Sequence, residues 1–421
     1  MIIVGNRTST TVKSLETANG AYTYTYDAVG NILSINDGTY TVSYVYDGLN
    51  QLVRENDQRA DTTTVYTYTN GNITGKKVYK YTLGDVGEEI KSTSYGYSNS
   101  EWRDLLTSFN GQAVTYDEIG NPITFGSKSF EWCGRQLERI TDGDNTYVYA
   151  YNTDGDRVSK TVNGVKTEYF YNGSILAGQK TGDETLIFMY DNNGDAFGFI
   201  YNGEEYYYIK NVQNDIVAIA DKNGTVVANY YYDAWGNITQ ITGNTALAQT
   251  NPLRYRSYYY DSETGYYHLK SRYYSPEVGR FLNADSVLDS RNTNALNLFV
   301  YCGNNPVNNQ DPDGQFFFGA LIGGIVGGAT GALAAAVKGK SIKAGLLTGA
   351  VTGAFTGAFC ELAAIGAIPA ILAVALCGVF VGAGNLINQY ANYRAEKKSQ
   401  TKNKNTNKNS QNNSSQGKKR K

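Results

Sequence analysis

The chain has 421 residues, with 37 Tyr and 46 Gly against 6 Pro, 2 Met and a single His, a balance that favours pleated strands and tight turns over helices. The lone His268 excludes a multi-histidine metal site and leaves any Ser-His-Asp triad resting on one ring, while Cys133, Cys302, Cys360 and Cys377 form no Cys-x-x-Cys pair and are expected as buried thiols. The formal charge of −2 conceals a split: residues 388–421 hold ten Lys or Arg with Glu396 as the one acid, so the rest stands at about −11, which argues against general nucleic-acid binding by the main body, and no specific nucleic-acid partner is expected.

Met1 to Ser9 contains no apolar run of the signal-peptide kind, so the export signal is expected outside this chain and its true start upstream. A repeat follows. Tyr26-Asp27-Ala28-Val29-Gly30-Asn31 is echoed at Tyr46-Asp47-Gly48-Leu49-Asn50, Tyr116-Asp117-Glu118-Ile119-Gly120-Asn121 and Tyr232-Asp233-Ala234-Trp235-Gly236-Asn237. Looser copies stand at Tyr151-Asn152, Tyr171-Asn172, Tyr190-Asp191 and Tyr260-Asp261, and the spacing between near neighbours suits a repeated hairpin. Tyr22, Tyr24 and Tyr26 alternate with Thr23 and Thr25, which puts the rings on one face of a strand. The Asp after the last Tyr can accept from the backbone two residues ahead, and the Gly or Asn supplies the positive φ of the turn. The tyrosine face is expected to stack along a continuous sheet, with carbohydrate binding as a second use of the same rings.

Two local patterns fail on inspection. Gly339-Lys340-Ser341 lacks the glycine five residues earlier that a phosphate-binding loop needs, since Ala334 stands there. Asp191-Asn192-Asn193-Gly194-Asp195 lacks the glycine and closing Glu of a calcium loop, because Ala196 and Asn202 occupy those places. No metal or other cofactor is expected.

Residues 252–314 carry the most specific text. Pro252-Leu253-Arg254-Tyr255-Arg256 is followed by Tyr259-Tyr260-Asp261-Ser262-Glu263-Thr264-Gly265, Ser271-Arg272-Tyr273-Tyr274-Ser275-Pro276 and Gly279-Arg280-Phe281-Leu282. Asn304-Asn305-Pro306 and Asp311-Pro312-Asp313-Gly314 close the series. In this order, and with Glu131-Trp132-Cys133-Gly134-Arg135-Gln136-Leu137 upstream, the text resembles the RHS repeat-associated core of YD-repeat proteins, which include bacterial polymorphic toxins and wall-associated proteins. The resemblance implies a mainly β fold: a spiralling shell of antiparallel strands that encloses a variable C-terminal effector, plugged by the core and often cut by aspartate-dependent self-cleavage. Carried over by position, the catalytic residues are Arg272 and Asp285, joined by Asp311 or Asp313, with the cleavage boundary at Gly314, Gln315 and Phe316. Such chemistry needs one protonated and one ionised carboxyl, with an Arg to hold the ionised partner or polarise the scissile carbonyl. Two departures bear on the rate: the first Asp-Pro-x-Gly of the family is reduced to Asp285-Ser286, and Gln315 replaces the usual apolar residue. No turnover enzyme is expected beyond this self-cleaving activity.

After Gly314 the composition changes. Phe316 to Val337 runs without charge for 22 residues, about 33 Å as a helix, enough to cross a hydrocarbon core of about 30 Å. A second apolar stretch from Ala344 to Ile387, interrupted by Glu361 and Pro369, has length for two further passes. Gly319, Gly323, Gly327 and Gly331, then Gly345, Gly349, Gly353 and Gly357, recur every four residues and predict smooth helix faces that pack in a glycine zipper. Lys338, Lys340 and Lys343 would then share a membrane side with the basic tail, which its Asn, Ser, Gln and Lys content predicts to be disordered.

The expected organisation is a YD-repeat β-shell over 1–250, the repeat-associated core over 251–314, α-helical glycine-rich hydrophobic helices over 315–387, as about three membrane passes or a hydrophobic hairpin stored inside the shell, and a disordered basic tail over 388–421. The function expected is the C-terminal part of a secreted or cell-surface RHS toxin with a membrane-inserting or pore-forming effector. Its partners would be the lipid bilayer and an immunity protein. The contrasting expectation is a membrane-anchored or wall-associated protein that binds cell-surface carbohydrate and has no toxic activity.

Overall fold

The structure, a computed structural model, describes residues 12–191, 194–286 and 297–315. Within them the fold is mainly β. Twenty-three strands, from β1 (Ser14–Thr17) to β23 (Ile238–Gly243), form one antiparallel meander in which each strand pairs with its neighbour in the chain.

The alternation in the sequence sets the faces. In β2 (Gly20–Tyr26) the threonines are exposed while Tyr24 is buried and Tyr22 and Tyr26 are half-buried on the same face. At the end of each repeat the Asp carboxylate organises the turn as the sequence predicts. Asp27 Oδ1 accepts from Val29 N at 3.0 Å and Asn31 N at 2.8 Å, and Gly30 takes φ +98°. Asp47, Asp117 and Asp233 repeat the arrangement.

Two recurrent features lie beyond the sequence pattern. The pairing slips by one residue at the last Tyr of the strand, between Thr25 and Tyr26, Val45 and Tyr46, Ala150 and Tyr151, and Phe170 and Tyr171. At Tyr26, Tyr46 and Tyr171, and at Tyr190 after a like slip, the displaced ring donates its hydroxyl to a carbonyl one hairpin back: Tyr26 to Val12 at 2.6 Å, Tyr46 to Ile32 at 2.7 Å, Tyr171 to Arg157 at 3.0 Å and Tyr190 to Leu176 at 2.8 Å, whereas the Tyr151 hydroxyl meets that of Tyr273 at 2.9 Å. A buried phenol therefore keeps its hydrogen bond and ties consecutive repeats together.

The only α-helix among the described residues, α1 (Thr245–Thr250), is capped by Asn244, whose Oδ1 accepts from Leu247 N at 3.1 Å. It links the meander to a second antiparallel sheet of β24 (Tyr259–Asp261), β25 (Tyr266–Leu269), β26 (Arg272–Ser275) and β27 (Arg280–Phe281). The aromatic centre of this sheet packs Tyr274 on Tyr301 at 3.9 Å between ring centroids, with Tyr255 and Tyr267 also fully buried. Trp235, at the repeat-turn position held by exposed Val29 and Leu49, is buried against Tyr66 and Gly279.

No helix among the described residues is long and apolar enough to cross a membrane. The expected helices of 315–387 from Phe316 onward, with the glycines at 319, 323, 327, 331, 345, 349, 353 and 357, and the basic tail lie outside the described residues. The expectation of buried thiols is corrected at one position: Cys302 is buried, but Cys133 is exposed because it closes its strand at a surface turn.

Candidate functional site

Strand β26 begins with Arg272, and the tight turn at Lys270 and Ser271 before it brings the Asp-Pro-Asp-Gly loop alongside. Ser271 donates from its backbone at 3.2 Å and its hydroxyl at 2.6 Å to the Asp313 carbonyl. Gly314 takes φ +78° in a space where a Cβ would come within 2.8 Å of the Leu269 carbonyl and the Ser271 hydroxyl, so no larger residue fits.

This approach gathers three of the four carboxylate and guanidinium residues predicted from sequence. Arg272 Nη2 stands 2.7 Å from Asp285 Oδ2 and 3.6 Å from Asp311 Oδ2. Its Nη1 donates to the Leu298 carbonyl at 3.0 Å and its Nε to the Gly314 carbonyl. The guanidinium lies over the Phe281 ring, 3.6 Å from the centroid, and all three charged side chains are buried. Asp311 Oδ1 accepts from the Gly314 and Gln315 amides at 2.9 and 3.1 Å. Asp313 stays at the surface, where Oδ1 accepts from Gln315 N at 3.2 Å. Phe316 lies outside the described residues.

The two buried carboxyls stand at different distances from the guanidinium. Burial pushes the Asp311 carboxyl up to about 7; Arg272 opposes this, and the charges of Asp313 and Asp285 add to it. Asp285 takes the closer contact with Arg272. Burial also draws the Arg272 guanidinium below its ordinary value against the pull of both aspartates. The arrangement therefore holds one carboxyl tightly against a cation and a second poised to exchange its proton near neutral pH, around a peptide unit whose carbonyl is already bonded.

A second ionic cluster gives no sequence signal. Arg157, opening β15 (Arg157–Val162), grips Asp261 through both terminal nitrogens at 2.6 and 3.0 Å. Lys160 reaches Asp261 at 2.8 Å and Glu263 at 2.8 Å. The rings of Tyr149, Tyr169, Tyr259 and Tyr273 surround the guanidinium at 5.0 to 5.8 Å. Burial would raise the Asp261 carboxyl, but the two cations overcome it and hold it well below the ordinary range. His268 stands near this cluster, its imidazole driven down to about 3 by burial and then by the Arg157 charge, so it is neutral. The arrangement is a junction between the meander and the second sheet. Arg256 with Asp215 at 2.9 Å, and Arg280 donating to Tyr97, Asn72 and the Asp104 carbonyl, are further ties of the same kind.

The Teneurin YD-shell family model matches residues 72–307 of this chain. The chain belongs to that family. It is the YD-repeat class, of RHS type, that the motifs resemble. This YD-shell chain is 36% identical over 283 residues to the tRNA nuclease WapA of Bacillus subtilis (strain 168), a match covering 64% of the chain and 12% of that relative. It is also 36% identical over 97 residues to the double-stranded DNA deaminase toxin A of Burkholderia cenocepacia (strain H111), which covers 23% of the chain and 6% of the toxin. The chain thus spans about an eighth of the WapA length it matches. Among solved structures, the TcdB2-TccC3-Cdc42 complex is similar with a TM-score of 0.56 at 20% identity, over 70% of this chain and 17% of that one, which is a likeness of fold. Among the described residues no cluster of His, Cys, Asp and Glu is arranged to hold a metal ion.

Proposed function

We propose that this chain is the closing part of a secreted or cell-surface RHS toxin, in which the repeat meander and its core block carry a C-terminal effector released by self-cleavage at the 314–316 boundary. One observation carries the reading: the Arg272 guanidinium simultaneously contacts Asp285, Asp311 and the Gly314 carbonyl, gathering the elements of an aspartate-dependent cut at the end of the core. The Gly314–Gln315 peptide is the bond engaged on both sides, its carbonyl by Arg272 and its amide by Asp311 and Asp313.

In the proposed step, ionised Asp285 takes a proton from a water molecule whose oxygen bonds to the Gly314 carbonyl carbon. Arg272 stabilises the oxyanion that develops. Asp311 gives its proton to the Gln315 nitrogen as the carbon–nitrogen bond breaks, leaving a Gly314 carboxyl group and a new amino terminus at Gln315. Asp311 suits the acid role because its proton is exchanged close to neutral pH.

The domain division follows the same reading: repeats to 250, core over 251–314, effector from 315. The named relatives include a nuclease and a deaminase toxin, which supports a reading in which effectors differ among proteins that share sequence with this chain. In this chain the uncharged run from Phe316 to Val337 and the two four-residue glycine ladders support a membrane-inserting effector, with the bilayer as target and an immunity protein as its partner. The test is one preparation with two readouts: full chain and Asp285→Asn, examined on a denaturing gel with fragment mass measurement and then added to dye-loaded anionic vesicles. Wild type should yield a fragment beginning at Gln315 that releases dye, and Asp285→Asn should remain whole. Identical full-length bands dismiss self-cleavage, and a fragment that binds vesicles without leakage dismisses perforation.

A further inference from the structure

The proposed cleavage dyad resides on the core block, yet the peptide that sets the direction of Asp285 is held from the repeats. The hairpin of β12 (Lys128–Cys133) and β13 (Gln136–Asp142) turns through Gly134, at φ +59°, and Arg135. From that turn Arg135 Nη1 reaches the Ala284 carbonyl at 2.5 Å. On the other side Ala284 N donates to the Gly120 carbonyl at 3.1 Å, on the repeat turn Asp117–Asn121. Asn121 Nδ2 joins the two turns by donating to the Gly134 carbonyl at 2.7 Å. Ala284 is fully buried against Leu105 and Phe299, and at Gly120 a Cβ would come 2.8 Å from both the Ala284 methyl and the Trp102 ring.

The next amide completes the clamp. Asp285 N donates to the Leu298 carbonyl at 2.9 Å, the same oxygen that receives Arg272 Nη1 at 3.0 Å. Ala284 is thus held at its nitrogen by one repeat turn and at its carbonyl by another, and the peptide leading into Asp285 is bonded at its oxygen by Arg135 and at its nitrogen by the Leu298 carbonyl. Neither Gly120 nor Arg135 touches the bond to be cut.

We propose that Arg135 is a positioning residue for Asp285, so that self-cleavage starts only after the β12–β13 turn has docked on the core block. This rests on the self-cleavage reading above and deepens it: the repeats act as an assembly check on the cut. A chain in which this hairpin is absent or misplaced keeps its effector attached, because the Ala284 carbonyl loses its donor and Asp285 loses its fixed bearing toward Arg272. Misplacement of a reacting group by about 1 Å costs on the order of 100-fold in rate. Lysine, which can also donate to that carbonyl, should restore most of the function, and a role confined to overall stability would not show such rescue.

The experiment uses the full chain as wild type, Arg135→Ala, Arg135→Lys and Asp285→Asn, with cleavage half-times on gels, thermal midpoints and hydrogen exchange at the Ala284 and Asp285 amides. Expected are a slowing of about 10- to 100-fold for Arg135→Ala, near wild-type cleavage for Arg135→Lys, thermal midpoints for both Arg135 variants that stay well above the assay temperature, and faster exchange at both amides in Arg135→Ala alone of the Arg135 variants. Arg135→Ala that cleaves at the wild-type rate, or leaves both amides as protected as before, overturns the inference. If the wild type itself stays whole, the self-cleavage reading and the assembly check fail together, and exchange at the two amides separately decides whether Arg135 positions Asp285.

Discussion

Replacing Asp311 by asparagine should change how stability depends on pH more than it changes stability itself. The wild-type carboxyl is pushed from 3.8 to about 7, chiefly by burial, so it binds a proton more tightly in the folded chain than in the unfolded one. The stabilisation from that proton is therefore full below pH 3.8 and is lost as pH rises through about 7. At about 1.4 kcal/mol per pH unit the complete effect is about 4 kcal/mol, of which about 3 kcal/mol is lost between pH 4.5 and pH 8. The asparagine amide keeps an acceptor for the Gly314 and Gln315 amides but does not titrate. Urea unfolding of both proteins at the two pH values should thus show the wild type losing about 3 kcal/mol relative to Asp311→Asn on going to pH 8. Parallel losses in the two proteins would refute the assignment of a raised Asp311 and, with it, the acid role in the proposed cut.

The buried junction supplies a second prediction: Asp261→Asn should cost about 3 to 5 kcal/mol in denaturant unfolding at pH 7, since Arg157 and Lys160 are left without their shared anion, and Arg157→Met combined with Asp261→Leu should recover part of it. A loss below about 1 kcal/mol for the single variant would show that the pair is not the tie it resembles. The repeat turns supply a third: Trp235→Ala should cost about 3 to 5 kcal/mol, whereas Val29→Ala at the same place in its motif, 76% exposed, should stay within about 0.5 kcal/mol. Equal thermal shifts for the two would contradict the burial that separates them.

Much of the meander is legible from residues a few positions apart. The Tyr22, Tyr24, Tyr26 alternation and the Asp27 turn follow from strand periodicity and from the reach of a short carboxylate, and both appear in the structure. The Tyr26 bond to Val12 leaves no such trace, because its acceptor is a backbone carbonyl that any residue would present. The same limit hides Arg157 and Asp261, 104 positions apart and paired only by the folding of one sheet on another. Arg272, Asp285 and Asp311 are reached through the motif resemblance, yet their separation of roles is not: Asp311 is buried and raised while Asp313, two residues on in the same loop, faces water. The Arg135 contact with Ala284 is equally silent, although the Gly134-Arg135 turn that carries it is visible.

The tyrosine hydroxyls that reach back fourteen residues give the meander a direction of assembly. At Tyr26, Tyr46, Tyr171 and Tyr190 a hairpin finds both its pairing edge and its hydroxyl acceptor in the segment just before it, so these steps close only short loops, whereas Trp235 on Tyr66 and Ala234 N on the Glu55 carboxylate close long ones within the meander. Strand pairing of this kind can proceed in chain order, ahead of the contacts that join distant repeats. The ties at Arg157, Arg256 and Arg280 join the core block to strands well before it, and the longer loops they close cost more entropy than any hairpin step.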